Sequence, residues 1–454
     1  MIMLYRKNED KIKAFLTDNN NMALLVTGAR QTGKTFSIRK VGKECFRNFV
    51  EINFINQPEM LKIFSGFKSA NDILLKLSAL FGENLVKGKT LIFFDEVQEC
   101  KEIVTAIKFL VDEGSYRYVL SGSLLGIELK DIRSIPVGYM SIINMYPLDF
   151  EEFALAIGVG KDVIAKLKEC FVSKTKVDNF IHKRMLELVK LYLMIGGMPA
   201  VVQKYLDTNK LNIVADYQNA IINLYKQDIS RYDQERKLLL DEIFNLIPSE
   251  LNAKNKRFII KNLNENKNFI RHENSFLWLK DAGVVIPVYN VEEPKFPLLL
   301  SKQRNLFKLF LNDVGLLACQ YARDFQIQIL SDNLDVNFGS VFENYVAQEL
   351  NAHGFEHLFY FNSKRQGELD FIVEYNDSVL PLEIKSGKDY HRHNALSNVL
   401  TTKEYQINEA IVFCPDNVSV DDKITYLPIY MTMFLQKDAT GLDMVYQFNL
   451  TGLR

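Results

Sequence analysis

The sequence predicts an α/β protein of several units: an N-terminal phosphate-binding α/β domain, a helical middle, and a C-terminal α/β unit. Three observations carry this. Gly28-Ala29-Arg30-Gln31-Thr32-Gly33-Lys34-Thr35 follows an apolar stretch, the apolar run Thr90–Phe94 ends in two acids, and two alternating segments meet at Asn376-Asp377. For 454 residues, at about 150 per domain, roughly three domains are expected. Hydrophobic residues make up 48% and charged residues 24%, globular values that exclude a disordered or fibrous chain. Lys and Arg number 55 against 56 Asp and Glu, a net charge of −1, so any nucleic-acid contact needs a local basic patch.

The eight residues Gly28 to Thr35 fit G-x-x-x-x-G-K-[ST] at every required position. Ala23–Thr27 is the strand that feeds the loop, and Thr35 to Lys43 has no Gly or Pro to interrupt a helix. The glycines permit the tight backbone whose amides cradle phosphate, and the helix N-terminus favours an anion. Lys34 is expected on the terminal phosphates and the Thr35 hydroxyl on Mg²⁺, with Gly28, Ala29, Arg30, Gln31, Thr32 and Gly33 supplying the rest of the cradle. Thr90–Phe94 is apolar on both faces, as a central parallel strand is, and ends in Asp95-Glu96. Asp95 would hold Mg²⁺ through water, and Glu96 would act as general base on the attacking water. Phe49–Phe54 reads as another strand, and Tyr116–Leu120 as a fourth that runs into Ser121-Gly122-Ser123. This order of strand ends resembles the AAA-type branch of P-loop ATPases, which implies that Ser121 or Ser123 senses the γ-phosphate; the alternative is a plain turn.

The middle of the chain is helical from Asp149, an N-cap candidate, to about Arg231, with Gly196-Gly197 between two helices. Beyond it, a helix over Asn274–Lys280 and strands over Val284–Val291 and Phe296–Leu300 suggest a winged helix. Lys254, Lys256, Arg257, Lys261, Lys267 and Arg271 face one acid, Glu265, in the 251–272 segment. This patch suits either a DNA backbone or a solvated helix face.

In the C-terminal third, Leu369, Phe371, Val373 and Tyr375 alternate with mainly polar positions, and Leu380, Leu382 and Ile384 alternate likewise on the far side. A two-residue turn at Asn376-Asp377 would make a hairpin, set Asp370 opposite Glu383 and place Glu368 opposite Lys385. Two carboxylates about 5 Å apart repel by about 3 kcal/mol at an effective dielectric near 20. A divalent cation would reverse that sign; alternatively, the face is solvated and Glu368 pairs weakly with Lys385.

The chain resembles a family of prokaryotic AAA-type P-loop ATPases that carry a C-terminal restriction-endonuclease-like region. The resemblance rests on Arg30-Gln31 within the phosphate loop, Leu120-Ser-Gly-Ser123, Tyr146-Pro-Leu-Asp-Phe-Glu-Glu-Phe153, Gly196-Gly-Met-Pro-Ala200, Phe307-Lys-Leu-Phe-Leu-Asn-Asp-Val-Gly-Leu-Leu317 and Phe342-Glu-Asn-Tyr-Val-Ala-Gln-Glu-Leu350. It implies ATP with Mg²⁺ as ligands and an AAA-type ATPase domain over 1–148. It also implies a helical lid over 149–231, a winged-helix-like domain over 232–325 and a nuclease-like domain over 326–454. Asp370, Glu383 and Lys385 have the PD-(D/E)xK spacing, with Leu369 in place of the leading proline, and Glu343 matches the helical acid such sites often add. Asp370 and Glu383 would bind metal, and Lys385 would orient the nucleophile. The resemblance also leads to Gly-Arg before the Pro-Leu element, where this chain has Gly138-Tyr139; Arg133 lies nearby in sequence.

The expected function is therefore an ATPase that couples nucleotide binding and hydrolysis to a DNA-directed, nuclease-like domain. The alternative is a nucleotide-dependent switch that binds DNA or a protein partner and cuts nothing. The first ten residues reach charge before any apolar stretch, and Leu188–Val202 is interrupted by Lys190, Gly196, Gly197 and Pro199, so a cytoplasmic protein with no membrane partner is expected. Five scattered cysteines without C-x-x-C spacing fit a reducing compartment. The six histidines form no ligand pattern. Monomer and homo-oligomer are equally compatible with the sequence.

Overall fold

The computed structural model describes residues 4–122, 138–232, 237–253, 256–258, 269–321, 339–387 and 389–437. Ser123 and Arg133 lie outside the described residues.

The first sheet contains β1 (Ala23–Thr27), β2 (Asn48–Asn53), β3 (Thr90–Asp95), β4 (Arg117–Ser121) and β5 (Met140–Asn144), in the order β2-β3-β4-β1-β5. All are parallel. β3 is buried at all six positions, which its unbroken apolar sequence anticipates, because a central parallel strand is covered on both faces. Leu91 and Phe93 point into one core with Ile12, Ile38 and Val41. Ile92 and Phe94 point into the other, with Ile103, Ile107 and Leu110. β4 lies between the phosphate-loop strand and the acid strand, so the loop after β1, Asp95 and Ser121 all emerge at the carboxyl edge, where α/β sheets bind ligands.

Helices Phe150–Ile157, Lys161–Ser173, Asn179–Ile195, Pro199–Thr208 and Leu211–Tyr232 follow. Asp149 caps the first in a reciprocal capping box with Glu152. The pair on either side of Gly196-Gly197 bends by 117°. The bend is fastened by buried Asp313, whose carboxylate accepts from the Gly197 amide at 2.6 Å and caps the helix Val314–Gln320. Among the described residues no single helix is long and apolar enough to cross a membrane.

The second sheet has eight strands, in the order β12-β13-β11-β10-β9-β8-β6-β7. They are β6 (Val285–Val291), β7 (Lys302–Leu311), β8 (Leu358–Ser363), β9 (Gly367–Tyr375), β10 (Ser378–Ile384), β11 (Ala410–Cys414), β12 (Ser419–Asp421) and β13 (Ile424–Pro428). The strand pair expected of a winged helix is present but is not a separate wing. β6 pairs antiparallel with β7 and parallel with β8, so the boundary expected at 325 falls inside one sheet. The expected strand at Phe296–Leu300 is instead a loop and a single 3₁₀ turn over Leu298–Ser301, and the return strand is β7. The run has strand-like composition, yet Leu299 and Leu300 are exposed; only Leu298 is drawn into the core.

The β9–β10 hairpin has the register that a two-residue turn at Asn376-Asp377 predicts, from Ser378 opposite Tyr375 to Leu382 opposite Phe371. Asn376 and Asp377 take φ of 47° and 55°, the left-handed pair of a type I′ turn. One apolar core runs from the helical middle into this sheet. At its centre the rings of Phe150, Tyr192 and Tyr345 sit 5.6, 6.1 and 5.8 Å apart. The middle helices and the second sheet therefore pack as one body against the first sheet.

Candidate functional site

Gly28 has φ of 140°, and a Cβ there would collide with the Met145 carbonyl. Gly33 has φ of 92° and forms the N-cap of the helix Lys34–Cys45. Both positions need glycine because the loop must turn tightly beside the sheet. The Lys34 ammonium is folded back on its own loop, 2.9 Å from the Gly28 carbonyl and 2.7 Å from that of Ala29. Burial lowers its pKa to about 8, with Arg30 adding to the effect and Glu96 and Asp95 opposing it. Thr32 is buried with its hydroxyl on the Ala29 carbonyl at 2.9 Å.

Asp95 is buried at the end of β3 and accepts from the Thr35 hydroxyl at 3.2 and 3.3 Å, from Asn53 Nδ2 at 3.0 Å and from the Ser121 hydroxyl. These donors fix the carboxylate beside Thr35, an arrangement that fits one Mg²⁺ held with phosphate oxygens and water. Glu96 has left-handed backbone, φ 56° and ψ 48°, costing on the order of 1–3 kcal/mol for a non-glycine residue. Its carboxylate accepts from Gln98 Nε2 at 2.5 Å. A cavity of about 720 Å³ opens over Gly33, Lys34, Thr35, Asp95, Glu96 and Gly122. It continues past Gln31 and Arg30 to Leu4, Pro199, Gln203 and Leu224, leaving room for more than the phosphates.

Several residues that hold this loop carry no motif. Buried Arg6 donates to the Thr32 carbonyl at 2.8 Å and the Tyr146 carbonyl at 2.6 Å, and pairs with Glu152 at 3.2 Å. Arg30 pairs with Asp228 of the helix Leu211–Tyr232 at 2.7 Å, and Tyr225 of that helix donates to the Arg30 carbonyl at 3.2 Å. Gly283, with φ of 73° in the turn before β6, sits where a Cβ would be 3.1 Å from the Ala29 nitrogen. The loop thus touches the N-terminal arm, the middle helices and the second sheet at once.

The second constellation is brought together only in part. Asp370 and Glu383 lie one step past the last paired residues of β9 and β10, and the Asp370 carboxylate accepts from the Ile384 amide at 2.9 Å. Burial, then Glu383 and Glu343, push the Asp370 carboxyl up to about 8, against Lys308 and Lys256. Glu383 and Glu343 thus lie close enough to Asp370 to oppose its ionisation. Glu343, on the helix Gly339–Ala352, pairs with Lys256 and with Lys308 at 3.4 Å; Lys385 pairs with Glu383 at 2.7 Å. The expected opposition of Glu368 and Lys385 gives way to a Glu368–Lys308 pair at 2.8 Å. Among the described residues no group of three His, Cys, Asp or Glu side chains could hold a metal ion.

The basic segment is also spent differently from expectation where it is described. Lys256 turns inward onto Glu343, and Arg257 lies beside the Tyr360 phenol. Phe258 hydrogen-bonds through its amide to the Phe307 carbonyl at 2.9 Å and packs on the rings of Phe276 and Phe307. Lys254, Lys261 and Lys267 lie outside the described residues.

Residues 20–154 match the family model of an AAA domain, so the N-terminal unit is an AAA-type P-loop domain. Residues 186–326 and 338–432 match two further families, each described as a domain of unknown function. No curated protein matches the chain. Similar solved structures include the Walker-type ATPase PABY2304 of Pyrococcus abyssi, at 14% identity and a TM-score of 0.43, covering 70% of this chain and 96% of that one. Another is the Aeropyrum pernix ORC1 protein in complex with DNA, at 14% identity and 0.30, covering 73% and 94%. A third is the Thermotoga maritima RuvB Holliday junction branch migration motor, at 13% and 0.27, covering 48% and 70%. Likeness at these scores assigns no function to this chain.

Proposed function

We propose that the chain binds and hydrolyses ATP at Gly28–Thr35 with Asp95 and Glu96, and that occupancy of the loop is passed to the body formed by the middle helices and the second sheet. The observation that carries this is the arrangement around Asp95: Thr35, Asn53 and Ser121 hold the carboxylate beside a loop whose lysine and amides open on one large cavity. Thr35 and Asp95 would hold Mg²⁺, which would supply neutralising charge to the β- and γ-phosphates. Lys34 exchanges the Gly28 and Ala29 carbonyls for phosphate oxygens. Glu96 takes a proton from the attacking water once Gln98 yields its hydrogen bond. Because Lys34 leaves the carbonyl of Ala29, the residue that meets Gly283, the same event reaches the turn that leads into β6. Equilibrium binding of labelled ATP to the full chain tests the reading; no saturable uptake would end it.

A pH dependence follows from Lys34. Its ammonium is half-formed at about pH 8 in the nucleotide-free protein and complete only well below that, and phosphate oxygens favour the charged form, so the bound-state pKa is higher. Affinity is expected to be level well below about pH 8 and to decline as pH rises through it, with proton uptake on binding. Dissociation constants between about pH 7 and about pH 9.5 check the sign; a flat profile contradicts it.

For the C-terminal unit, a DNA-directed, nuclease-like role has the support of the Asp370, Glu383 and Lys385 spacing. The lysines paired with Glu343 and Glu383 favour the alternative, a nucleotide-dependent switch that engages a partner and cuts nothing. Supercoiled plasmid incubated with the full chain and Mg²⁺ or Mn²⁺ is expected to stay intact for wild type and Glu383→Ala alike. Nicking by wild type and not by the variant would restore the nuclease reading.

A further inference from the structure

The spacing of Asp370, Glu383 and Lys385 implies a divalent-metal site, but the side chains around these acids do not fit one. Both oxygens of buried Glu343 are taken by ammonium groups, Oε1 by Lys256 and Oε2 by Lys308 at 3.4 Å. Lys308 is fully buried and also lies 2.8 Å from Glu368 Oε1 and 5.1 Å from the centroid of the Tyr360 ring. The second Glu368 oxygen accepts from Asn362 Nδ2. Glu383 Oε1 is held by Lys385 and Asp370 Oδ2 by the Ile384 amide. Glu383 Oε2 is buried with no hydrogen-bond partner among the described residues, and Asp370 Oδ1 accepts no hydrogen bond from them.

A buried carboxylate cluster needs positive charge, and the source of that charge decides what the site can be. Here it is covalently attached. Lys308 cannot retreat to solvent, since it sits on β7 inside the packed body, and a divalent cation placed between Asp370 and Glu383 would face the Lys385 ammonium on Glu383 and the Lys308 and Lys256 ammonium groups held beside Asp370 by Glu343. Like-charge repulsion in a poorly solvated interior would then oppose the attraction of the acids. Lys256 reaches the cluster from residues 256–258, which the Phe258 amide and ring hold against Phe307.

We infer that Lys308 and Lys256 are the resident counter-charges of this cluster, making it a metal-free ionic tie between residues 256–258, β7, the helix Gly339–Ala352 and the β9–β10 hairpin. The tie stands independently of the nucleotide site. It also removes Lys256 from any surface that the basic segment could offer to nucleic acid.

Two measurements on the full chain test it. Mn²⁺ titration of the nucleotide-free protein, followed by the electron paramagnetic resonance signal of free Mn²⁺, should give the same curve for wild type, Asp370→Asn and Glu343→Gln. A wild-type site that either variant loses overturns the inference. In thermal unfolding, Lys308→Met should lower the midpoint by about 5 °C, because it removes the ammonium from Glu368 and from one oxygen of buried Glu343. Adding Glu343→Met should recover part of that loss. A Lys308→Met protein that melts with wild type also overturns the inference. Should Lys308→Met fail to fold, the Mn²⁺ comparison decides alone.

Discussion

Replacing Lys34 by alanine is expected to weaken ATP binding by 100-fold or more, on the order of 3 kcal/mol, and to abolish measurable hydrolysis. The side chain is the buried cation at the floor of the cavity, with its Nζ within 3 Å of the loop carbonyls that it must leave to meet phosphate. Charge-assisted hydrogen bonds to phosphate are each worth about 1.5–3 kcal/mol, and alanine supplies none. The fold should survive, since the loop is also held by Arg6 on the Thr32 carbonyl and by the Arg30–Asp228 pair. Binding of a fluorescent nucleotide, together with a thermal melt of the nucleotide-free variant, separates lost affinity from lost structure. Undiminished ATP turnover in this variant would refute the assignment of the site.

Glu96→Gln is expected to do the reverse: to leave nucleotide affinity within about threefold of wild type while lowering the turnover rate by about 10²–10⁴-fold, the usual weight of a general base. The residue follows Asp95 on a left-handed turn that aims its carboxylate into the cavity while Asp95 stays tied to Thr35. Glutamine keeps the volume and a hydrogen bond to Gln98 but cannot take a proton at neutral pH. Single-turnover hydrolysis with pre-bound ATP isolates the chemical step. A loss confined to affinity would mean that Glu96 positions the nucleotide and is not the base.

The parts of the molecule legible in advance are those whose cause is local. The phosphate loop, the helix after it and the acid-bearing strand follow from glycine at two positions, an unbroken helical segment and an apolar run. The β9–β10 register follows from the two-residue turn at Asn376-Asp377, whose left-handed backbone fixes which residues of the flanking strands stand opposite one another. Where several local patterns were equally satisfied, the reading failed. Phe296–Leu300 has strand composition but no neighbouring strand to pair with, and the hairpin assigned to a wing is the edge of the second sheet.

The site residues divide along the same line. Gly28, Lys34, Thr35, Asp95 and Glu96 belong to short motifs, so their proximity is built into a few consecutive residues or into neighbouring strands. Arg6 meets Glu152 across 146 positions, and Lys256 and Lys308 meet Glu343 across 87 and 35. No spacing rule reports such pairs. Lys308 interrupts the apolar run 306–311 of β7 and is wholly buried, and nothing adjacent to it in sequence names the acids it meets.

Patterns written in contiguous residues are thus what the amino-acid order settled for this protein: a phosphate-loop motif, two acids at the end of an apolar strand and a hairpin carrying carboxylates. The identity of the cation that answers those carboxylates, and the contact of the loop with the rest of the body, waited on the folded chain. Backbone conformation responds to near neighbours, whereas a buried charge is governed by whichever groups the packing brings within a few ångströms, however far apart they stand in the chain.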